Sequence, residues 1–94
     1  MYKISVIIPV FNSSLCLDHC LSTVINQTLE DIEIILIDDG STDDSLAVCH
    51  KWARQDNRIQ VYEQENQGVS RTRNKGIQLA IGKYVMFLDA DDWV

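Results

Sequence analysis

Ninety-four residues, 46% of them hydrophobic and 23% charged, make one small globular domain at most and exclude a disordered chain. A net charge of −6 argues against a nucleic-acid backbone as partner, because that needs a basic face. The longest apolar run, residues 6–11, is too short to cross a bilayer, and no charged-then-apolar leader is evident. The expectation is therefore a cytoplasmic domain, or one peripheral to the cytoplasmic face of a membrane.

Residues 4–10 are a short apolar run rich in β-branched side chains, the pattern of a fully buried strand, with Pro9 restricting it to a terminus or edge there. Asn12, Ser13 and Ser14 offer helix caps, and residues 15–27 carry Leu17, Leu21, Val24 and Ile25 at helical spacing. After a connection at 28–31, residues 32–37 read as a second buried strand, and residues 38–43 as a loop whose end can cap a second helix near 44–55. Residues 58–63 alternate and read as a more exposed strand, and 65–68 as a turn. A third helix is expected over 69–81, weakened by Gly76 and ended by Gly82 at its C′ position, before a fourth, nearly all-apolar strand over 83–88.

The cysteines are Cys16, Cys20 and Cys49, an odd number without a C-x-x-C pair, so no disulfide framework is expected. Cys16, His19 and Cys20 invite a zinc reading, with Cys49 and His50 as a second pair. Cys16 and Cys20 stand four apart on a helix whose apolar face holds Leu17 and Leu21, and free cysteine packs there as a small hydrophobe.

Buried strands alternating with helices imply an α/β fold, a Rossmann-like parallel sheet with helices on both faces. Right-handed crossovers give the strand order 3-2-1-4. The winding reverses between the first and fourth strands, and ligands bind beyond the strand C-termini at such a switch point. Three segments meet there: 9–12, 38–41 and 89–92. Seven of the fourteen carboxylates fall in two short stretches, 38–44 and 89–92, a clustering that suits a cation.

Asp89 and Asp91 are two apart at a strand end, so in extended chain both point to one side. A lone D-x-D is usually a solvated acidic turn. Ending a buried strand at a switch point, it reads as the holder of a hard divalent cation shared with a diphosphate. Asp38-Asp39-Gly40-Ser41 serves a plain turn, but one of two adjacent acids is free to accept from a base imide or a ribose hydroxyl. Phe11, at the rim after Pro9, is either a hydrophobic lid or a surface for stacking a ring. Arg71 and Arg73 open the third helix; arginine forks suit phosphate, although a solvated helix face is the commoner role.

Four motifs, Ser5-Val6-Ile7-Ile8-Pro9-Val10-Phe11-Asn12, Asp38-Asp39-Gly40-Ser41-Thr42-Asp43, Gly68-Val69-Ser70-Arg71-Thr72-Arg73-Asn74-Lys75-Gly76 and Phe87-Leu88-Asp89-Ala90-Asp91-Asp92, closely resemble family 2 of the inverting glycosyltransferases, in order and in spacing. The resemblance implies the N-terminal part of a GT-A fold and a nucleotide-sugar donor, most often a UDP-sugar, bound with Mn2+ or Mg2+. It implies that Phe11 lies against the base, that Asp39 accepts from its ring nitrogen, and that Arg73 supports the donor side, with Arg71 a second candidate. It places Asp89 at the ribose or metal shell and Asp91 on the metal bridging the diphosphate. The donor-site set is thus Pro9, Phe11, Asn12, Asp38, Asp39, Arg71, Arg73 and Asp89, with Asp91 and Asp89 for the metal. Thr72 stands where the family usually has alanine, and Phe11 where it often has tyrosine.

Family members continue beyond the D-x-D with an acceptor site, a catalytic base and a Gln-x-x-Arg-Trp motif, none of which occurs in residues 1–94. The expectation is a donor-binding half without the acceptor half, inactive by itself and with no catalytic residue assigned. Its fourth strand would leave an apolar edge free for self-association. Acceptor, sugar and linkage stay open. The alternative is a non-catalytic nucleotide-binding or interaction module. A nicotinamide dehydrogenase is disfavoured because the first turn, Pro9-Val10-Phe11-Asn12-Ser13-Ser14, has no G-x-G-x-x-G.

Overall fold

The computed structural model describes residues 3–26 and 31–90. Its elements are β1 (Ile4–Val10), α1 (Ser14–Ile25), β2 (Ile32–Asp39), α2 (Ser45–Gln55), β3 (Ile59–Gln64), α3 (Val69–Leu79) and β4 (Tyr84–Phe87). Among the described residues the strands form one parallel sheet in the order β3-β2-β1-β4. β1 is central, running from Ile4 opposite Ile32 to Val10 opposite Asp38 on one side, and from Ile4 opposite Tyr84 to Ile7 opposite Phe87 on the other.

Alternation along the strands sorts their side chains between two cores. Val6, Ile8 and Val10 join Ile34 and Leu36 under Leu17, Cys20, Leu21 and Val24 of α1 and Cys49 of α2. On the opposite face a smaller cluster of Ile7, Ile35 and Ile37 packs against Leu79 and Ala80 at the end of α3. Helices thus cover both faces, with α1 and α2 on the larger core.

The α3 face is held by polar contacts that the apolar look of the strands conceals. Glu33 is 1% exposed, yet its carboxylate accepts from Ser5 Oγ (2.5 Å), the Ile81 N–H (2.7 Å) and Gln60 Nε2 (3.1 Å). Ser5 Oγ in turn accepts from the Gly82 N–H at 2.8 Å. Three donors compensate a carboxylate withdrawn from water.

This network changes how α3 ends. The helix stops at Leu79 rather than 81, and Ala80 is already extended (φ −69°, ψ 135°). Gly82 is not a left-handed C′ cap, since positive φ among the described glycines is confined to Gly40 and Gly68. Ile81 and Gly82 turn their N–H groups to Glu33 and Ser5 instead of continuing the helix. Gly82 is needed for closeness, because a Cβ there would lie 2.6 Å from Ser5 Oγ. Gly76 likewise lets α3 approach the sheet, because a Cβ would come within 2.4 Å of Ile7 Cγ2.

One other expectation needs correction. β2 runs two residues further than expected, so Asp38 and Asp39 are buried strand residues rather than loop residues. The fourth strand is the apolar edge expected of it, and Tyr84, Val85, Met86 and Phe87 are 56%, 41%, 40% and 41% exposed.

Gly76→Ala separates packing from propensity. Alanine is the better helix former by about 1 kcal/mol, but overpacking against the fully buried Ile7 costs about 1–3 kcal/mol. We expect net destabilisation in urea unfolding; a stabilised variant would show that α3 does not sit this close to β1.

Candidate functional site

Pro9 has no N–H with which to extend a ladder. The hydrogen bonds from β4 to β1 end with the Leu88 N–H donating to Ile7 O at 3.0 Å, two residues before it. Beyond that point lies an open cleft of about 510 Å³, lined by Pro9, Phe11, Asn12, Ser13, Cys16, Val69, Asp89 and Ala90. It lies at the winding reversal between β1 and β4. The cleft gathers four of the residues singled out from sequence: Pro9, Phe11, Asn12 and Asp89. Phe11 is 50% exposed there, a half-free ring at the rim.

The turn from β1 into α1 is built from another loop's side chains. Asn12 has φ 47°, a left-handed conformation that asparagine tolerates better than most residues. Its Oδ1 accepts from the Thr42 N–H (2.8 Å), and its own N–H donates to Ser41 Oγ (2.9 Å). Ser13 is the N-cap of α1 but makes no side-chain cap bond. Asp43 supplies that function for both helices. Oδ1 accepts from the Ser45 hydroxyl (2.6 Å) and N–H (2.9 Å), and Oδ2 from the Ser14 hydroxyl (3.0 Å) and N–H (3.3 Å). These bonds, the Ser45 hydroxyl foremost, hold the Asp43 carboxyl at about 2, against 3.8 ordinarily.

The acidic pair at the end of β2 splits between the faces. Asp39, on the α3 side, spends both carboxylate oxygens on the turn before α3. Oδ1 accepts from the Gln67 N–H (2.8 Å) and Gln64 Nε2 (2.9 Å), and Oδ2 from the Gly68 N–H (3.1 Å). Two lone pairs per oxygen leave one acceptor direction, on Oδ2. Asp38 faces the other side, where Oδ2 accepts from the Ser41 N–H at 3.3 Å and the buried Oδ1 has no partner. Burial, and then the charge of Asp38, push the Cys49 thiol up to about 12. Such a thiol stays protonated and packs as a small apolar group, as Cys20 does. Cys16 departs from that expectation: it is half-buried and lines the cleft.

The two arginines lie on different flanks of α3, as a separation of two residues on a helix requires. Arg73 Nη2 donates to Asp89 Oδ1 at 3.3 Å, and the guanidinium lies 5.7 Å from the Phe87 ring centroid. Its buried Nε has no partner. Both members of the Arg73–Asp89 pair are largely exposed, so its contribution is small. Arg71 lines a separate recess of about 340 Å³ with Gln64, Gln67, Asn74, Lys75 and Gln78. Asp91, assigned to the metal from sequence, lies outside the described residues, and among those described no three His, Cys, Asp or Glu side chains group as a metal site.

The sequence profile of glycosyl transferase family 2 matches residues 5–94. The chain belongs to that family. A cholesterol galactosyltransferase of Borreliella burgdorferi is 50% identical over 93 residues, 99% of this chain and 26% of that protein. The S. aureus TarS structure in complex with UDP-GlcNAc superposes with a TM-score of 0.89 at 32% identity, over 97% of this chain and 27% of that one. The mannosyltransferase PcManGT from Pyrobaculum calidifontis, in complex with GDP-Man and Mn2+, superposes with a TM-score of 0.90 at 24% identity, over 99% of this chain and 29% of that one, and so shares the fold. The chain thus spans about a quarter of the length of these relatives, and the sheet is that of the N-terminal part of a GT-A glycosyltransferase. Family 2 membership accounts for the order of the four motifs; the roles of Ser13, Val69 and Asp43 were not legible in them. Serine and valine carry no distinctive signal at a cleft wall, and Asp43 looked like a local cap.

Because its carboxyl is held low in the folded chain, Asp43 stabilises fully above pH 3.8, and that contribution is lost as pH falls towards about 2. The melting-temperature difference between the wild type and Asp43→Asn should therefore be widest near neutrality and close below pH 4. A difference independent of pH would remove Asp43 from both helix starts.

Proposed function

We propose that this chain is the donor-binding half of an inverting, metal-dependent glycosyltransferase that takes a UDP-sugar. The observation that carries the reading is the cleft at the winding reversal, with the half-exposed Phe11 on one wall and the Asp89 carboxylate on the other. The base would stack on Phe11, worth about two- to tenfold in affinity, and the open acceptor of Asp39 would take its ring N–H. The diphosphate would lie towards Asp89, where Arg73 stands close enough to meet it.

A carboxylate such as Asp89 is the hard oxygen donor that Mn2+ and Mg2+ prefer, and Asp91 would complete the pair. When bound, the metal offsets charge developing on the nucleoside diphosphate as it leaves. The reaction is a single in-line displacement at the anomeric carbon, with a carboxylate base deprotonating the acceptor hydroxyl. That base is assigned to no residue here, so for these 94 residues by themselves we expect nucleotide binding without sugar transfer. Calorimetric titration of UDP with and without Mn2+ tests the reading: affinity should rise with the metal in the wild type and not in Asp91→Ala. Binding indifferent to both would sink the metal assignment.

A second reading concerns β4. Among the described residues it pairs only with β1, which leaves its outer backbone groups and the apolar residues Tyr84 to Phe87 open. An edge of this kind is a template for another strand, and we propose that a second copy of the chain adds there. Sedimentation should show a mass rising with concentration, reduced by Val85→Lys; a clean monomer at high concentration refutes it.

A further inference from the structure

The hydrogen bonds around the start of α3 form a directed chain. The fully buried Thr72 donates its hydroxyl proton to Gly68 O at 2.8 Å. With that proton committed, the hydroxyl accepts from Gln64 Nε2 at 3.0 Å, and the other Nε2 hydrogen goes to Asp39 Oδ1 at 2.9 Å. This fixes the direction of the Gln64 amide. Turned over, it would set its oxygen against a carboxylate oxygen and a hydroxyl lone pair. The cost is visible on its far side, where Oε1 is buried without a partner. A buried acceptor left unmet is rare and calls for a reason.

The group fixed by this arrangement is the Asp39 carboxylate. Gln64 and the Gln67 N–H saturate Oδ1, the Gly68 N–H takes half of Oδ2, and one acceptor direction remains. Phe11 and Asp39 follow directly after the paired Val10 and Asp38 on neighbouring strands, so they are adjacent positions at the sheet's mouth. An alanine at position 72 would make neither of the Thr72 bonds.

We propose that Thr72 and Gln64 are positioning residues for Asp39: they hold its carboxylate so that its remaining acceptor reads the ring N–H of a base stacked on Phe11. They thereby set how strictly the cleft separates a base that carries this N–H from one that lacks it. The inference rests on the reading of Asp39 as a donor-site residue, and goes beyond it in naming what aims that residue.

The test is calorimetric titration of UDP and of its N3-methylated analogue into the wild type, Thr72→Ala, Thr72→Val and Thr72→Ser, with melting temperatures for each. The wild type should prefer UDP by about ten- to a hundredfold, the worth of one hydrogen bond to a charged acceptor. Thr72→Ala and Thr72→Val should lose most of that preference by weakening UDP and sparing the analogue, while Thr72→Ser, which keeps the hydroxyl, retains it. Gln64→Met should reproduce the loss, which keeps the question open to measurement if the Thr72→Ala chain does not fold. A purely structural role predicts lowered melting temperatures with the UDP preference intact, and that result overturns the inference alone. A wild type that binds both nucleotides equally removes the reading of Asp39 and this inference with it.

Discussion

The structure depends on one missing hydrogen bond donor. β1 is shared by both cores and by both halves of the sheet, and near its C-terminal end stands Pro9, which cannot donate to a neighbouring strand. The ladder to β4 stops short of it, and the chain beyond Phe87 turns Leu88 and Ala90 into the larger core while Asp89 stays outside. The gap is therefore set by covalent chemistry at a strand end, where the winding also reverses. Topology alone places a crevice in such a sheet; the proline determines where it begins.

Around that gap, aspartates bind the scaffold together. Asp43 spans the starts of α1 and α2, and Asp39 spans the end of β2 and the start of α3. In each case a carboxylate accepts backbone N–H groups at a helix start, where the helix dipole favours a negative charge. The acids are thereby tied to their positions by the chain's own N–H groups, the pre-organisation that a binding site needs.

This use of aspartate also explains what was legible in the sequence. The elements, their order in the sheet and the two-faced architecture follow from unbroken apolar runs at 4–10 and 32–37, alternation over 58–63 and period-3.6 patterning in the helices. The clustering of acids in 38–44 suggested a cation. Asp39 and Asp43 instead spend their charge on N–H groups, because the same side chain serves either purpose and only the fold selects. Glu33 and Ser5 were hidden for a related reason: single polar residues inside apolar runs look like noise until β1 and β2 set them side by side. Gly76 looked like a helix weakness and Gly82 like a C′ cap, although both are demanded by atoms more than sixty residues away in sequence. Arg71 and Arg73 could have been separated beforehand, since residues two apart on a helix lie on different flanks.

The two faces of the sheet are held by different physics. α1 and α2 sit on a broad apolar cluster, whereas α3 rests on three isoleucines and a set of hydrogen bonds through Glu33, Ser5, Asp39, Gln64 and Thr72. With so small an apolar cluster beneath it, α3 belongs to the part of the domain that opens at lower free energy than the global unfolding. In native-state hydrogen exchange its amides should therefore be released before those of β1 and β2. Val69 and Arg73 would loosen with it, so the wall of the cleft nearest Asp89 is also its least stable one.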